Sequence, residues 1–142
     1  MVFENFSLNP LFNFTIKIIL AAILGSIIGL ERKKKHYGIG IRTTSLIVIS
    51  ATTFTIAGLS IFDATNISRI VQGLAAGVGF IGAAIIWRQQ KDHQWVGGLT
   101  TAVTIWFLTA LGITIGLGLF LEAIILTLIV VVILFLKRLG IE

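Results

Sequence analysis

The residues of this chain that could do chemistry fall in two kinds of place. Glu31, Arg32, Arg42, Thr43, Arg88, Gly98, Thr100 and Thr101 lie where long apolar stretches begin or end. Gathered on one rim, they would form a cationic surface rich in backbone N–H donors, with Glu31 as its nearest carboxylate. Such a rim suits an anion, a lipid headgroup or an acidic protein surface. The plainer use of the same residues is as helix caps and orientation signals, with Glu31 paired to Arg32 or Arg42. Arg69, Gln72 and Glu122 sit inside or at the edges of apolar stretches. Polar and ionisable groups are expensive in a membrane and normally have a reason to be there. These three therefore define a second arrangement, a polar path between the third and fifth stretches. Lys17 also lies within an apolar stretch, and its long stem is expected to carry the ammonium outward to the interface.

Other chemistries are excluded by what the chain lacks. There is no cysteine and one methionine, and the two histidines, His36 and His93, fall in loops. Disulfides, thiolate metal sites and cysteine nucleophiles are ruled out, and no metal centre or cofactor is expected. No P-loop, Ser/His/Asp set or carboxylate pair is present, so the chain reads as a non-enzyme. The string GVGFIG, Gly77 to Gly82, has GxGxxG spacing. It lacks the preceding strand, the βαβ unit and the acidic residue about 20 positions on that a dinucleotide site needs, so its glycines are assigned to helix packing.

The elements that must position these residues follow from composition. Of 142 residues, 56% are hydrophobic and 12% charged, where a soluble domain carries about 25% charged residues. With a mean hydropathy of +1.04, so few charges cannot cover a water-facing surface. The expected fold is all-α: a polytopic transmembrane helical bundle forming a single domain over residues 1–142. Five spans are read at approximately 11–30, 43–61, 67–87, 99–114 and 117–136. The block from Leu99 to Leu136 is too long for one crossing, and glycines 112, 116 and 118 mark its break. The first segment is a retained span, because its basic cluster follows the apolar core where a signal peptide would place it before.

Charge sets the orientation. With five spans, Arg32, Lys33, Lys34, Lys35, Arg42, Arg88, Lys91, Lys137 and Arg138 share one side, and only Arg69 lies near the other. The positive-inside rule then places the N-terminus outside and the C-terminus in the cytoplasm. The basic excess is accounted for by this orientation and by anionic lipid at the cytoplasmic face, and nucleic acid is not an expected partner. Lipid gives helices no hydrophobic reason to associate, so small residues must allow close backbone contact. Gly25 and Gly29, Gly73 and Gly77, and Gly112 and Gly116 are each four apart, with Gly79 and Gly82 further along the third span. That spacing serves contacts within one chain or between two copies in a homodimer. The small, partly polar face of the third span is expected at the centre of the bundle.

Four strings in order, GLER at 29–32, GIRT at 40–43, RIVQG with GVGFIGAAII across 69–86, and GLTTAVTIW at 98–106, resemble the MgtC/SapB family of bacterial inner-membrane proteins. The resemblance runs from about Leu20 to Leu136. DATNIS stands where the family has Asp and Pro close before the Arg, and Ala84 replaces a usual glycine. The resemblance implies a small multi-pass protein of the bacterial cytoplasmic membrane, linked to magnesium homeostasis and stress adaptation. For some members it implies restraint of the F-type ATP synthase as a membrane partner. Longer members add a soluble C-terminal domain, which is not expected within these residues. The leading expectation is a non-enzymatic modulator of a membrane partner or of ion (Mg²⁺ or proton) homeostasis. The alternative is a small transporter or channel for Mg²⁺ or another ion, lined by Arg69, Gln72 and Glu122.

Overall fold

A computed structural model describes residues 10–33, 39–61, 67–89 and 97–136, with Lys33, Ile61, Arg88 and Gln89 described by backbone alone. Five helices follow in order: α1 (Pro10–Lys33), α2 (Ile41–Ile61), α3 (Ile67–Gln89), α4 (Leu99–Gly116) and α5 (Phe120–Leu136). The first four are long and apolar enough to cross a bilayer. α5, at 17 residues, stands at the lower limit of about 17 for a spanning helix. The bundle is all-helical among the described residues, as the composition requires.

Helix ends follow local chemistry. Pro10 opens α1, where its missing N–H costs no internal bond. α4 stops where Gly118 takes a left-handed φ of 85°. There the Gly118 N–H donates to the Ile115 carbonyl at 2.9 Å and the Leu119 N–H to the Thr114 carbonyl at 3.1 Å. This is a Schellman closure, which satisfies the orphan carbonyls of the last turn. A reversal that meets its own hydrogen-bonding demand needs no charge, so this turn can be uncharged. The helix runs to Gly116 and not to residue 114, because Gly112 and Gly116 are packing positions and only Gly118 is the break.

The centre of the bundle is α4. Its apolar window is 56% buried, against 11% for α3. The expectation that α3 forms the centre is therefore corrected. The reason lies in the glycines: a Cβ at Gly73, Gly77 or Gly79 would meet nothing within 4 Å. On α4, a Cβ at Gly112 would lie 2.5 Å from the Val48 carbonyl oxygen and 2.6 Å from the Ala51 Cβ, and one at Gly116 would lie 2.5 Å from the Thr55 Cβ. The backbones of α2 and α4 thus approach as closely as small residues allow, and Thr52 Oγ1 donates across the seam to the Gly112 carbonyl at 3.0 Å.

α1 packs on α2 by the same means. A Cβ at Gly25 would stand 2.9 Å from the Ser45 Cα, and one at Gly29 would press on Thr44 and Ile41. Ser26 and Ser45 exchange a hydroxyl hydrogen bond at 2.9 Å beside this contact. α3 leans on α4, where Gly82 faces the Ala102 Cβ at 3.4 Å. α5 buries Ala123, Thr127 and Leu134, a narrow stripe at helical spacing, and leaves Leu121, Leu128 and Val132 exposed.

Gly112→Ala should destabilise the protein by about 1–3 kcal/mol, because the backbone on the far side cannot give way to a methyl. Gly77→Ala should be neutral or slightly stabilising, since helix propensity then acts alone. Thermal unfolding of both variants in detergent micelles checks the contrast.

Candidate functional site at the basic end of the bundle

The basic end is assembled by close packing and one buried hydrogen bond. The Gly29 contact on Ile41 and Thr44 brings the C-terminal turn of α1 against the first turn of α2. Three residues on from Gly29, Arg32 turns toward α4, where its Nη2 donates to Thr101 Oγ1 at 2.6 Å. Both residues are only 3% exposed. A hydrogen bond to a charged donor in such a site contributes roughly 1.5–3 kcal/mol, and it ties together residues 69 apart in sequence. Ile39, just before α2, is buried against Val78 and Ile105, with Ile47 and Ile85 packed around them. This plug seats the α1–α2 connection on α3 and α4.

The expected surface residues therefore divide. Arg32 and Thr101 face inward and hold helices together, while Arg42, Thr43 and Thr100 are exposed and Glu31 is half-buried. Gly98 precedes α4 in the left-handed conformation with φ 81°, where a side chain would be strained. The Arg88 side chain lies outside the described residues, as do the basic residues 34, 35, 91, 137 and 138 and both histidines.

Two helices begin at this rim. The first backbone bonds are Thr44 N–H to the Gly40 carbonyl and Ala102 N–H to the Gly98 carbonyl, so the N–H groups ahead of them have no intrahelical acceptor. Neither α2 nor α4 carries an acidic residue in its first turn. Neither first turn supplies a carboxylate of its own, so the positive end of each dipole adds to the charge of Arg42.

At the opposite end, Lys17 does not simply reach outward. Its Nζ donates to the Gly116 carbonyl at 2.7 Å, a cation on the negative end of α4. Lys17 and Arg32 are fifteen residues apart on α1, and their acceptors on α4 are fifteen apart in the reverse sense. At about 1.5 Å rise per residue the two clamps sit ~22 Å apart and fix one antiparallel register. Nothing in the spacing of α1 alone signals this. The fact that 32 and 101 have the same sum as 17 and 116 is legible only once the partner helix is known.

Arg69 and Gln72 are exposed on α3 and Glu122 is exposed in the first turn of α5. α3 packs against α2 and α4, whereas α5 packs against α1 and α4. The polar path expected between the third and fifth spans is thus not brought together by the packing of this chain. The packing glycines divide in the same way: Gly25, Gly29 and Gly82 make interhelical contacts, and Gly73, Gly77 and Gly79 do not.

The profile of the MgtC family matches residues 18–140. The chain is 41% identical over 114 residues to Protein SrpB of Synechococcus elongatus, covering 72% of this chain and 63% of that protein. It is 32% identical over 120 residues to Protein MgtC of Salmonella typhimurium, covering 84% and 50%. Against Protein MgtC of Brucella abortus it is 33% identical over 111 residues, covering 78% and 45%. The chain spans about half the length of the curated relatives it matches. No solved structure matches it.

Thr101→Val should cost about 1.5–3 kcal/mol by taking the acceptor from a buried guanidinium. In Arg32→Met/Thr101→Val the loss should be smaller than the sum of the two single losses, because the pair is coupled. A double-mutant cycle from denaturant unfolding in micelles measures this.

Proposed function

The chain belongs to the MgtC family, and we propose that it is a non-enzymatic, multi-pass protein of the bacterial cytoplasmic membrane that modulates a membrane partner or ion homeostasis through its basic end. The observation that carries this reading is the division of labour at that end. Arg32 is spent on an internal hydrogen bond to Thr101, while Arg42, Thr43 and Thr100 are left exposed on two helix N-termini whose own first turns carry no acidic residue. A rim held rigid from beneath and cationic on top is a docking surface for an acidic protein face or an anionic headgroup. By the positive-inside rule this end faces the cytoplasm. The F-type ATP synthase, implied by the family resemblance, is the first partner to test.

Cross-linking from native membranes, followed by affinity purification, should capture a membrane complex. Arg42→Ala should reduce that capture by about tenfold or more, because the partner's charge is left without its counterpart. Arg42 is exposed, so the variant should insert and fold normally. Proteoliposomes of the pure protein should show no Mg²⁺ or proton flux. Robust flux that disappears with Glu122→Gln would replace this reading with that of a transporter. The orientation has its own check, since the chain has no cysteine to mask an introduced one. Single cysteines at Gly38 and at Glu142 should both react with a membrane-impermeant maleimide from the cytoplasmic side only.

A further inference from the structure

A groove opens between α2 and α3, and its length is close to the depth of one lipid leaflet. α3 rests mainly on α4 and meets α2 closely where a Cβ at Gly58 would press on Ile70; from that contact toward the basic end, two adjoining cavities of about 350 and 390 Å³ open between α2 and α3. They meet at Phe54, Leu74 and Val78, which line both. The upper cavity begins at Thr43 and is walled by Leu46 and Ile81; the lower one continues past Gly73 and Gly77 to Ile70. From Thr43 to Phe54 along α2, and from Ile81 to Ile70 along α3, is eleven residues, or about 16 Å at the helical rise. Half of a hydrocarbon core of ~30 Å is much the same length.

A charged residue adjoins the upper end of this groove in sequence, and its interior is apolar. Arg42 immediately precedes Thr43 at the rim and is exposed, whereas the walls below are almost wholly apolar. A ligand that matches both has a negative head at the membrane surface and a single leaflet's depth of hydrocarbon beneath it. We propose that the groove between α2 and α3 is a binding site for an anionic phospholipid. Its phosphate sits at Arg42, and one acyl chain lies along Phe54, Leu74 and Val78. The absence of side chains at Gly73 and Gly77 then has a use: a Cβ at either would meet nothing of this chain within 4 Å, so these positions keep the lower groove open. This inference rests on the membrane placement of the basic end given above and deepens it, by assigning one anionic ligand to one part of that end.

The test uses the full chain in phosphatidylcholine nanodiscs doped with phosphatidylglycerol or phosphatidylcholine carrying the same photoactivatable acyl chain. Labelled peptides are mapped by mass spectrometry, with the exposed Leu128–Val132 face of α5 as the measure of ordinary lipid contact. The expected result is labelling at Phe54, Leu74 and Val78 that exceeds the α5 face and favours phosphatidylglycerol by about fivefold, the worth of one basic residue at the surface. Arg42→Gln should abolish the headgroup preference while leaving acyl labelling of the groove. Gly77→Leu should fill the groove and lower its labelling to the level of α5. Added inorganic phosphate should not compete.

Labelling no higher in the groove than on α5, or a headgroup preference unchanged in Arg42→Gln, would overturn the proposal. So would efficient disulfide cross-linking between copies of Gly77→Cys, which would put a second copy of the chain in the groove. Capture of a membrane partner that survives Gly77→Leu while lipid labelling is lost would separate this site from the partner surface. The two readings can therefore fail independently.

Discussion

Helices in lipid gain nothing from leaving one apolar surface for another, so this bundle depends on how closely its backbones can approach. The approach is closest where α4 presents Gly112 and Gly116 to α2, and where α1 presents Gly25 and Gly29 to the start of the same helix. α2 is thereby gripped on two sides by glycine faces, and α4, packed against all the other helices, becomes the post of the structure. α3 and α5 need much less intimate contact. α3 is seated by Gly82 against Ala102, by Val78 among Ile39 and Ile105, and by Ile70 against Gly58, and α5 by a three-residue stripe, and both leave most of their surface to lipid.

Close packing sets distance but leaves sliding along the helix axis weakly opposed. Polar side chains supply that restraint. Arg32 on Thr101 and Lys17 on the Gly116 carbonyl hold α1 and α4 at both ends, and Thr52 on the Gly112 carbonyl does the same for α2 and α4. Within a low-dielectric interior such bonds are directional and costly to break. They also explain how two cations are accommodated in a largely apolar first helix. Neither is left to lipid, since each ends on an oxygen of α4.

This scaffold has a consequence for function. With Arg32 hydrogen-bonded to Thr101, the exposed polar residues at the basic end, among the described residues, include Arg42, Thr43 and Thr100. Below that rim α2 and α3 meet at Gly58 and Ile70, and an apolar groove opens between them toward Thr43. The MgtC-family relatives are about twice as long as the matched region, and the resemblance therefore speaks to this membrane portion.

Five helices were legible from hydropathy alone, and no observed end departs from its expected position by more than three residues. The glycine pairs at 25/29 and 112/116 were also legible as contacts. The reason is that span length and backbone self-satisfaction are local demands, set by bilayer thickness and by the hydrogen bonds of each segment. The chain's charges likewise marked the ends of the segments directly. What the sequence could not determine was which face of each helix turns inward, because in a membrane both the core and the surroundings are apolar and the amphipathic signal of a soluble helix is lost. The centrality of α4 instead of α3, the open flank at Gly73 and Gly77, the burial of Arg32, the partner of Lys17 and the separation of Glu122 from Arg69 were decided by the tertiary structure alone. Each depends on the rotation of one helix about its axis relative to a particular neighbour.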